Sequence, residues 1–157
     1  MNDFWRRRVK EPILAQLTQG VTPEKLALTC ALGGAIGVFP ILGSTTLLCL
    51  LVGIFLKLNQ PAIQAVNYVV YPFQLGLLPV FVRLGEKLYG AEPVPLFPTD
   101  LIREFMQGPD PFLSKYGRAG IYAITAWALI APVFVIGIYF PLRAIFKGVL
   151  RESRGQA

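Results

Sequence analysis

The chain has 157 residues, 54% of them hydrophobic and only 15% charged, with a formal net charge of +6. An ordinary soluble domain carries about 25% charged residues, so a chain that covers itself with charge in water is excluded. The length sets one domain, and the charges are confined: the stretches 26–56, 58–82 and 119–142 contain no Asp, Glu, Lys or Arg.

These stretches are 31, 25 and 24 residues long. About 20 apolar residues suffice for a helix to cross a hydrocarbon core of about 30 Å. Core helices of soluble bundles average about 11–12 residues and keep a polar face. The predicted fold class is therefore an all-α membrane protein, built from transmembrane helices, interrupted or re-entrant helical segments and amphipathic surface helices. Residues 1–20 form one part. Residues 21–157 form a single membrane domain, with a polar, Pro-rich linker over 83–118.

Residues 4–19 predict a basic amphipathic helix. Trp5, Val9, Ile13 and Leu17 form one stripe, with Arg7, Arg8 and Glu11 opposite. Such a helix suits a membrane surface or packs on the rest of the protein. Thr22-Pro23-Glu24 is a helix start: Thr caps, Pro fits the first position and Glu faces the positive end of the dipole. The helix it opens enters the first apolar window, which as one straight rod would run about 46 Å. A break is supplied by Gly37, Pro40 and Gly43, and Ser44, Thr45 and Thr46 are placed to cap a new helix. The window is either a strongly kinked span or a hairpin dipping into the membrane.

Asn59-Gln60-Pro61 marks a turn and a further start. Asn67, Tyr68, Tyr71, Pro72, Gln74, Gly76 and Pro79 crowd the second window and predict an interruption at Pro72. Val38-Phe39-Pro40 recurs there as Val70-Tyr71-Pro72. Two successive interrupted segments are a transporter pattern, with ordinary packing kinks as the alternative. Residues 99–107 predict a short amphipathic helix, Leu101, Ile102, Phe105 and Met106 on one face. Asp110-Pro111 opens a helix that runs into the third window, with Tyr122 and Tyr139 near its ends as interfacial aromatics and Pro132 as a kink. Arg143, Lys147 and Arg151 follow where they can snorkel to headgroups.

Basic residues flank the windows at both termini, which predicts cytoplasmic ends and argues against nucleic acid as a partner. Two cytoplasmic ends need an even number of crossings. A re-entrant first window, two full spans and an external 83–118 segment meet that condition.

The chain has no His, and Cys30 and Cys49 both lie in the first window without metal spacing. No metal, cofactor or disulfide is expected. No carboxylate lies in the windows and Ser44 has no base beside it, so the sets that enzymes assemble are missing and a non-enzyme is predicted. The expected function is handling or transport of a lipid or lipid-linked carrier. Its ligand-binding residues would be Ser44, Thr45, Thr46, Asn67, Tyr71 and Gln74, gathered at the breaks marked by Gly37, Pro40, Gly43 and Pro72. Free N–H groups at the helix start favour an anion such as a lipid phosphate; alternatively neighbouring side chains satisfy them. The second functional reading is a non-catalytic accessory or scaffold subunit. It would bind partner helices or a second copy through Gly33-x-x-x-Gly37, glycines that can equally pack within the chain.

The stretch from Thr22 to Gly90 resembles the small bacterial inner-membrane proteins grouped as domain-of-unknown-function family 2062. The resemblance rests on Pro23, on the turn residues Gly37, Phe39, Pro40 and Gly43, and on Lys57-x-Asn59-x-Pro61. Two positions depart from the pattern. Ser44-Thr45-Thr46 replaces a Gln-Thr after the turn, and Tyr71-Pro72 replaces a central Asn-Pro. The resemblance implies a bacterial inner-membrane location and no particular activity.

Overall fold

A computed structural model of the protein describes residues 22–155. It holds five α-helices and no strand among them: α1 (Pro23–Gly37), α2 (Thr45–Phe55), α3 (Gln60–Tyr89), α4 (Pro98–Gln107) and α5 (Pro109–Gly155). The amphipathic segment expected over 4–19 lies outside the described residues.

The helix boundaries follow local chemistry. Thr22 accepts a hydrogen bond from the Lys25 backbone N–H at 3.3 Å, with Pro23 in the first turn. Asn59 caps α3 in the same way, accepting from Ala62 N–H at 2.9 Å, with Pro61 beside it. Two helices stop with one device, in which a left-handed residue lets the following N–H groups fold back on the last carbonyls. At the end of α2, Lys57 has φ +51°; it donates to Ile54 O at 3.2 Å, and Leu58 donates to Gly53 O at 2.8 Å. At the end of α3, Gly90 has φ +60°, and Ala91 donates to Glu86 O at 2.9 Å. Lys57-x-Asn59-x-Pro61 is thus a stop-and-restart signal: it ends one helix and caps the next within five residues.

The directions of the helices follow from their contacts. Gly33 lies on Ile63 and Val66, and Gly37 on Asn67 and Val70, so α1 and α3 run parallel. Gln64 reaches Thr46 and Gln60 reaches Leu50, so α2 runs back against α3. Trp127 meets Ala35, while Arg143 and Lys147 meet Glu24, so α5 is antiparallel to α1. α1 and α2 are therefore a hairpin whose two ends face one side of the bundle. At 15 and 11 residues they reach about 22 and 16 Å. α3 and α5, at 30 and 47 residues, reach about 45 and 70 Å. Both long helices are long and apolar enough to cross a membrane. Only 22% and 11% of their most apolar windows are buried inside the protein.

The second window is not interrupted. α3 passes through Pro72 and Pro79 as one helix, which corrects the break expected at Pro72. A proline frees one carbonyl, four residues back, and the flanking turns keep their bonds. Packing then holds the helix on both sides of the proline: Asn67 and Val70 against Gly37, and Gly85 against Tyr122. Pro40 does break its segment, because Gly43 (φ +82°) turns the chain there, while Ile36 O accepts from Phe39 N–H and Ala35 O and Phe39 O accept from Trp127 and Gln74. The two Val-aromatic-Pro triplets are accordingly not a structural repeat.

Two apolar clusters knit the bundle. Ile36, Cys49, Leu58 and Ile63 join the hairpin to α3. Val38, Phe81, Val82, Val94, Ala119, Ala123 and Ala126 join the turn, α3 and α5. Cys30 and Cys49 are free thiols, Cys49 within the first cluster.

Candidate functional site

The residues between α1 and α2, 38–44, turn the chain at the end of α1: Val38 and Pro40 are buried, while Ile41, Leu42 and Gly43 are exposed. The last carbonyls of α1 have no helical partner. Phe39 N–H bonds Ile36 O at 2.9 Å rather than Ala35 O, and the indole N–H of Trp127 donates to Ala35 O at 2.9 Å. The Phe39 ring stands edge-on to Trp127, centroids 4.9 Å apart. From the other side, Gln74 Nε2 donates to Phe39 O at 2.7 Å and to Ile41 O at 3.4 Å. One side chain from each long helix thus closes the end of α1.

Gln74 is the last of a series. Gln64 Nε2 donates to Thr46 O at 3.0 Å, Gln60 Nε2 to Leu50 O at 3.1 Å, and Asn67 Nδ2 to Thr46 Oγ1 at 3.5 Å. The carboxamides at 60, 64, 67 and 74 follow the 4–3 spacing that keeps side chains on one face of a helix. Each points its nitrogen into the hairpin. Each carboxamide oxygen is buried and without a hydrogen-bond donor. The side chains of Asn67 and Gln74 belong to residues only 2% and 0% exposed.

Of the residues expected to bind ligand, Thr46, Asn67 and Gln74 take part in this seam, and Thr45 is buried at the start of α2. Ser44 stands at the N-cap of α2, but its hydroxyl donates back to Ile41 O at 2.9 Å and caps nothing. Its backbone is already helical there, which turns the side chain away from the N–H groups of the first turn. Tyr71 is 44% exposed and makes no hydrogen bond among the described residues. Gln60, Gln64 and Trp127 were not among the residues expected from sequence. The spacing 60, 64, 67, 71, 74 was the available signal for the glutamines; Trp127 offered none, because its partner lies 92 positions away. The glycines offered to a partner helix, Gly33 and Gly37, are covered by α3.

On the opposite side of α1, Leu32, Ala35, Ile36, Trp127, Ala131 and Val135 line an open apolar groove of about 440 Å³. A second cleft, about 370 Å³, lies at the far end of the bundle between the 91–94 loop and α5. Glu86, 3% exposed, organises that loop: it accepts from Val94 N–H at 2.7 Å and from Arg83 at 2.8 Å. At the other end, Glu24 pairs with Lys147 at 3.0 Å and Arg143 at 3.5 Å, so these two cations meet a carboxylate of the chain itself. A hydrogen bond from its own backbone N–H, and then one from Lys147, hold the Glu24 carboxyl below its ordinary value of 4.5. No group of three or more His, Cys, Asp or Glu that could hold a metal ion occurs among the described residues.

Five helices, two of them long and apolar enough to cross a membrane, with a short helical hairpin folded against both, define an all-α architecture. The chain belongs to the bacterial family described as "Uncharacterized protein conserved in bacteria (DUF2062)", whose model matches residues 4–154. Neither the curated proteins nor the solved structures contain a match to it.

Proposed function

We propose that this is a multi-pass protein of the bacterial inner membrane, with a re-entrant hairpin that handles a lipid or lipid-linked carrier without catalysing a reaction on it. The position of the 38–44 turn carries the reading. Gln74 and Trp127, which hold the turn, lie within four residues of the middles of the 58–82 and 119–142 windows (70, and between 130 and 131), or about 6 Å along each helix. With α3 and α5 as the spans, the turn sits near the bilayer centre, and α2 returns to the side from which α1 entered. Backbone that is not helical is tolerated at that depth only where its polar groups find partners; Gln74 and Trp127 supply them to the carbonyls of Phe39, Ile41 and Ala35, while the apolar side chains of Ile41 and Leu42 are exposed. The apolar groove alongside is shaped for a hydrocarbon chain. Exposed Val69, Phe73, Val133, Ile136 and Phe140 support lipid contact for α3 and α5, since a soluble protein rarely leaves so continuous an apolar surface.

The shared side of Glu24, Arg143 and Lys147 supports both ends being cytoplasmic. Burial of the Gly33–Gly37 face removes the feature on which the scaffold reading rested. Single cysteines at Lys57 and Glu92, both exposed, test the topology when introduced after replacing Cys30 and Cys49 with Ala. An impermeant thiol reagent added to intact cells should label position 92 and reach position 57 only after permeabilisation. A first window that crossed the membrane once, as a single kinked span, would reverse the two results.

A further inference from the structure

We propose that the cleft between the 91–94 loop and α5 binds a zwitterionic phospholipid headgroup, a phosphate linked to a primary ammonium. The inference rests on the lipid-handling reading above, with α3 and α5 as the spans, and names the headgroup. The cleft has a volume of about 370 Å³, and the charged side chains Glu86, Glu92, Lys115 and Arg118 line it together with Tyr122. Its walls are held in place by the protein itself. On one side, buried Glu86 accepts from Val94 N–H at 2.7 Å through its carboxylate and from Ala91 N–H at 2.9 Å through its backbone carbonyl. On the other, Tyr122 stacks on Tyr89, ring centroids 4.4 Å apart, where the backbone of α5 meets Gly85. A cleft with fixed walls loses little freedom when it binds.

Two of the four charges are already matched. Arg83 donates to Glu86 at 2.8 Å, and Lys115 donates to Glu104 at 2.6 Å. Glu92 has no ion pair among the described residues, and Arg118 uses only its Nε, on Ser114 O at 3.0 Å. Both residues are exposed, so one carboxylate and one guanidinium end are open to a ligand in the cleft. An anion alone would lie beside Glu92, and a cation alone would lie beside Arg118. An apolar group would strip water from both charges. A zwitterion meets each with its opposite: phosphate oxygens accept from the guanidinium fork, and an ammonium donates to the carboxylate. The depth matches a headgroup. Arg118 lies about 19 Å along α5 from the middle of the 119–142 window, just outside the half-thickness of about 15 Å of the hydrocarbon core.

The test uses the full-length protein in detergent micelles doped with dioleoyl phosphatidylethanolamine, phosphatidylcholine or phosphatidylglycerol, with bound lipid measured by mass spectrometry after gel filtration. The ethanolamine lipid should be retained about tenfold better than the choline lipid, whose nitrogen has no hydrogen to donate, the scale of one charge-assisted hydrogen bond. The two carry the same net charge, so the basic ends of the chain do not bias the comparison. Glu92→Gln should erase the difference, and Arg118→Gln should lower retention of the ethanolamine lipid about tenfold. The comparison on the unaltered protein needs no substitution, so a variant that misfolds leaves the proposal open to refutation. Equal retention of the ethanolamine and choline lipids, or a preference that Glu92→Gln leaves unchanged, overturns the headgroup site while leaving lipid handling in place. Stronger retention of phosphatidylglycerol, lost in Arg118→Gln, would make the cleft an anion site and overturn the zwitterion. Retention of none of the three lipids overturns lipid handling itself. Free phosphoethanolamine at millimolar concentration should not displace the ethanolamine lipid; displacement would assign the cleft to a soluble zwitterion and overturn the lipid assignment.

Discussion

Gln74 donates its side-chain amide to the carbonyl of Phe39, 35 residues earlier in the chain, at 2.7 Å. With the indole of Trp127 on Ala35 O at 2.9 Å, this bond fixes where the hairpin turns. Leaving a buried carbonyl without its donor costs about 1–3 kcal/mol. Gln74→Met should therefore lower stability by that amount in mild detergent, read as a shift in thermal midpoint. Trp127→Phe keeps an aromatic ring near Phe39 but removes the N–H and part of the bicyclic ring that packs on the core, so its loss should be at least as large. The two changes should couple in a double-mutant cycle, since both release the end of α1. Strict additivity would mean that the two bonds do not act on one element.

The approach of α3 to α5 is set by Gly85, where an added Cβ would drive into the Tyr122 carbonyl. Backbone cannot yield as a flexible side chain does. Gly85→Ala should destabilise by about 1–3 kcal/mol or more, as overpacking does. Gly76 lies on the same helix and meets nothing within 4 Å, so Gly76→Ala should be neutral or stabilising by up to about 1 kcal/mol. Melting temperatures of the two variants check the contrast; equal effects would rule out the close contact.

Lys57 occupies the left-handed position that ends α2, at φ +51°. A non-glycine residue there costs about 1–2 kcal/mol, partly offset by the greater freedom glycine has when unfolded. Lys57→Gly should raise stability by a few tenths to about 1 kcal/mol. Lys57→Val, β-branched, should lower it, and urea or thermal titration of both variants reads the sign.

Glu24 gives a pH dependence. Its folded carboxyl lies below its ordinary value of 4.5 through its own backbone N–H and then Lys147. A depressed carboxyl contributes stability that is present above pH 4.5 and lost as pH falls through the lower folded value. Thermal scans on the acid side of pH 5 should therefore show a decline that Glu24→Gln lacks, and salt should shrink it because the pair is half exposed. Identical acid profiles for the two proteins would remove Glu24 from the account.

The starts and stops of the hairpin region were legible in the sequence because they are local. Thr22-Pro23, Pro40 with Gly43, and Asn59-Gln60-Pro61 each satisfy or withhold backbone hydrogen bonds within a few residues, and α1, α2 and the start of α3 begin or end there. The charge-free windows likewise carried the all-helical composition and the two long helices. Pro72 was misleading for the same reason: a proline reports a missing N–H, but whether the helix goes on depends on what packs around it.

The seam lay at the boundary between the two kinds of information. Asn67 and Gln74 were visible as polar residues in an apolar stretch, and the 4–3 spacing that adds Gln60 and Gln64 is a property of the sequence. Sequence alone determined that a polar stripe must find partners, because an amide in an apolar stretch cannot remain unpaired at low cost. Only the tertiary structure decided which partners these were. The parallel passage of α1 along α3, allowed by Gly33 and Gly37, brings residues 39, 41 and 46 to the nitrogens of 74, 67 and 64. That passage also leaves the oxygens buried. The same packing places Trp127 on Ala35 across 92 residues, a distance no local pattern encodes.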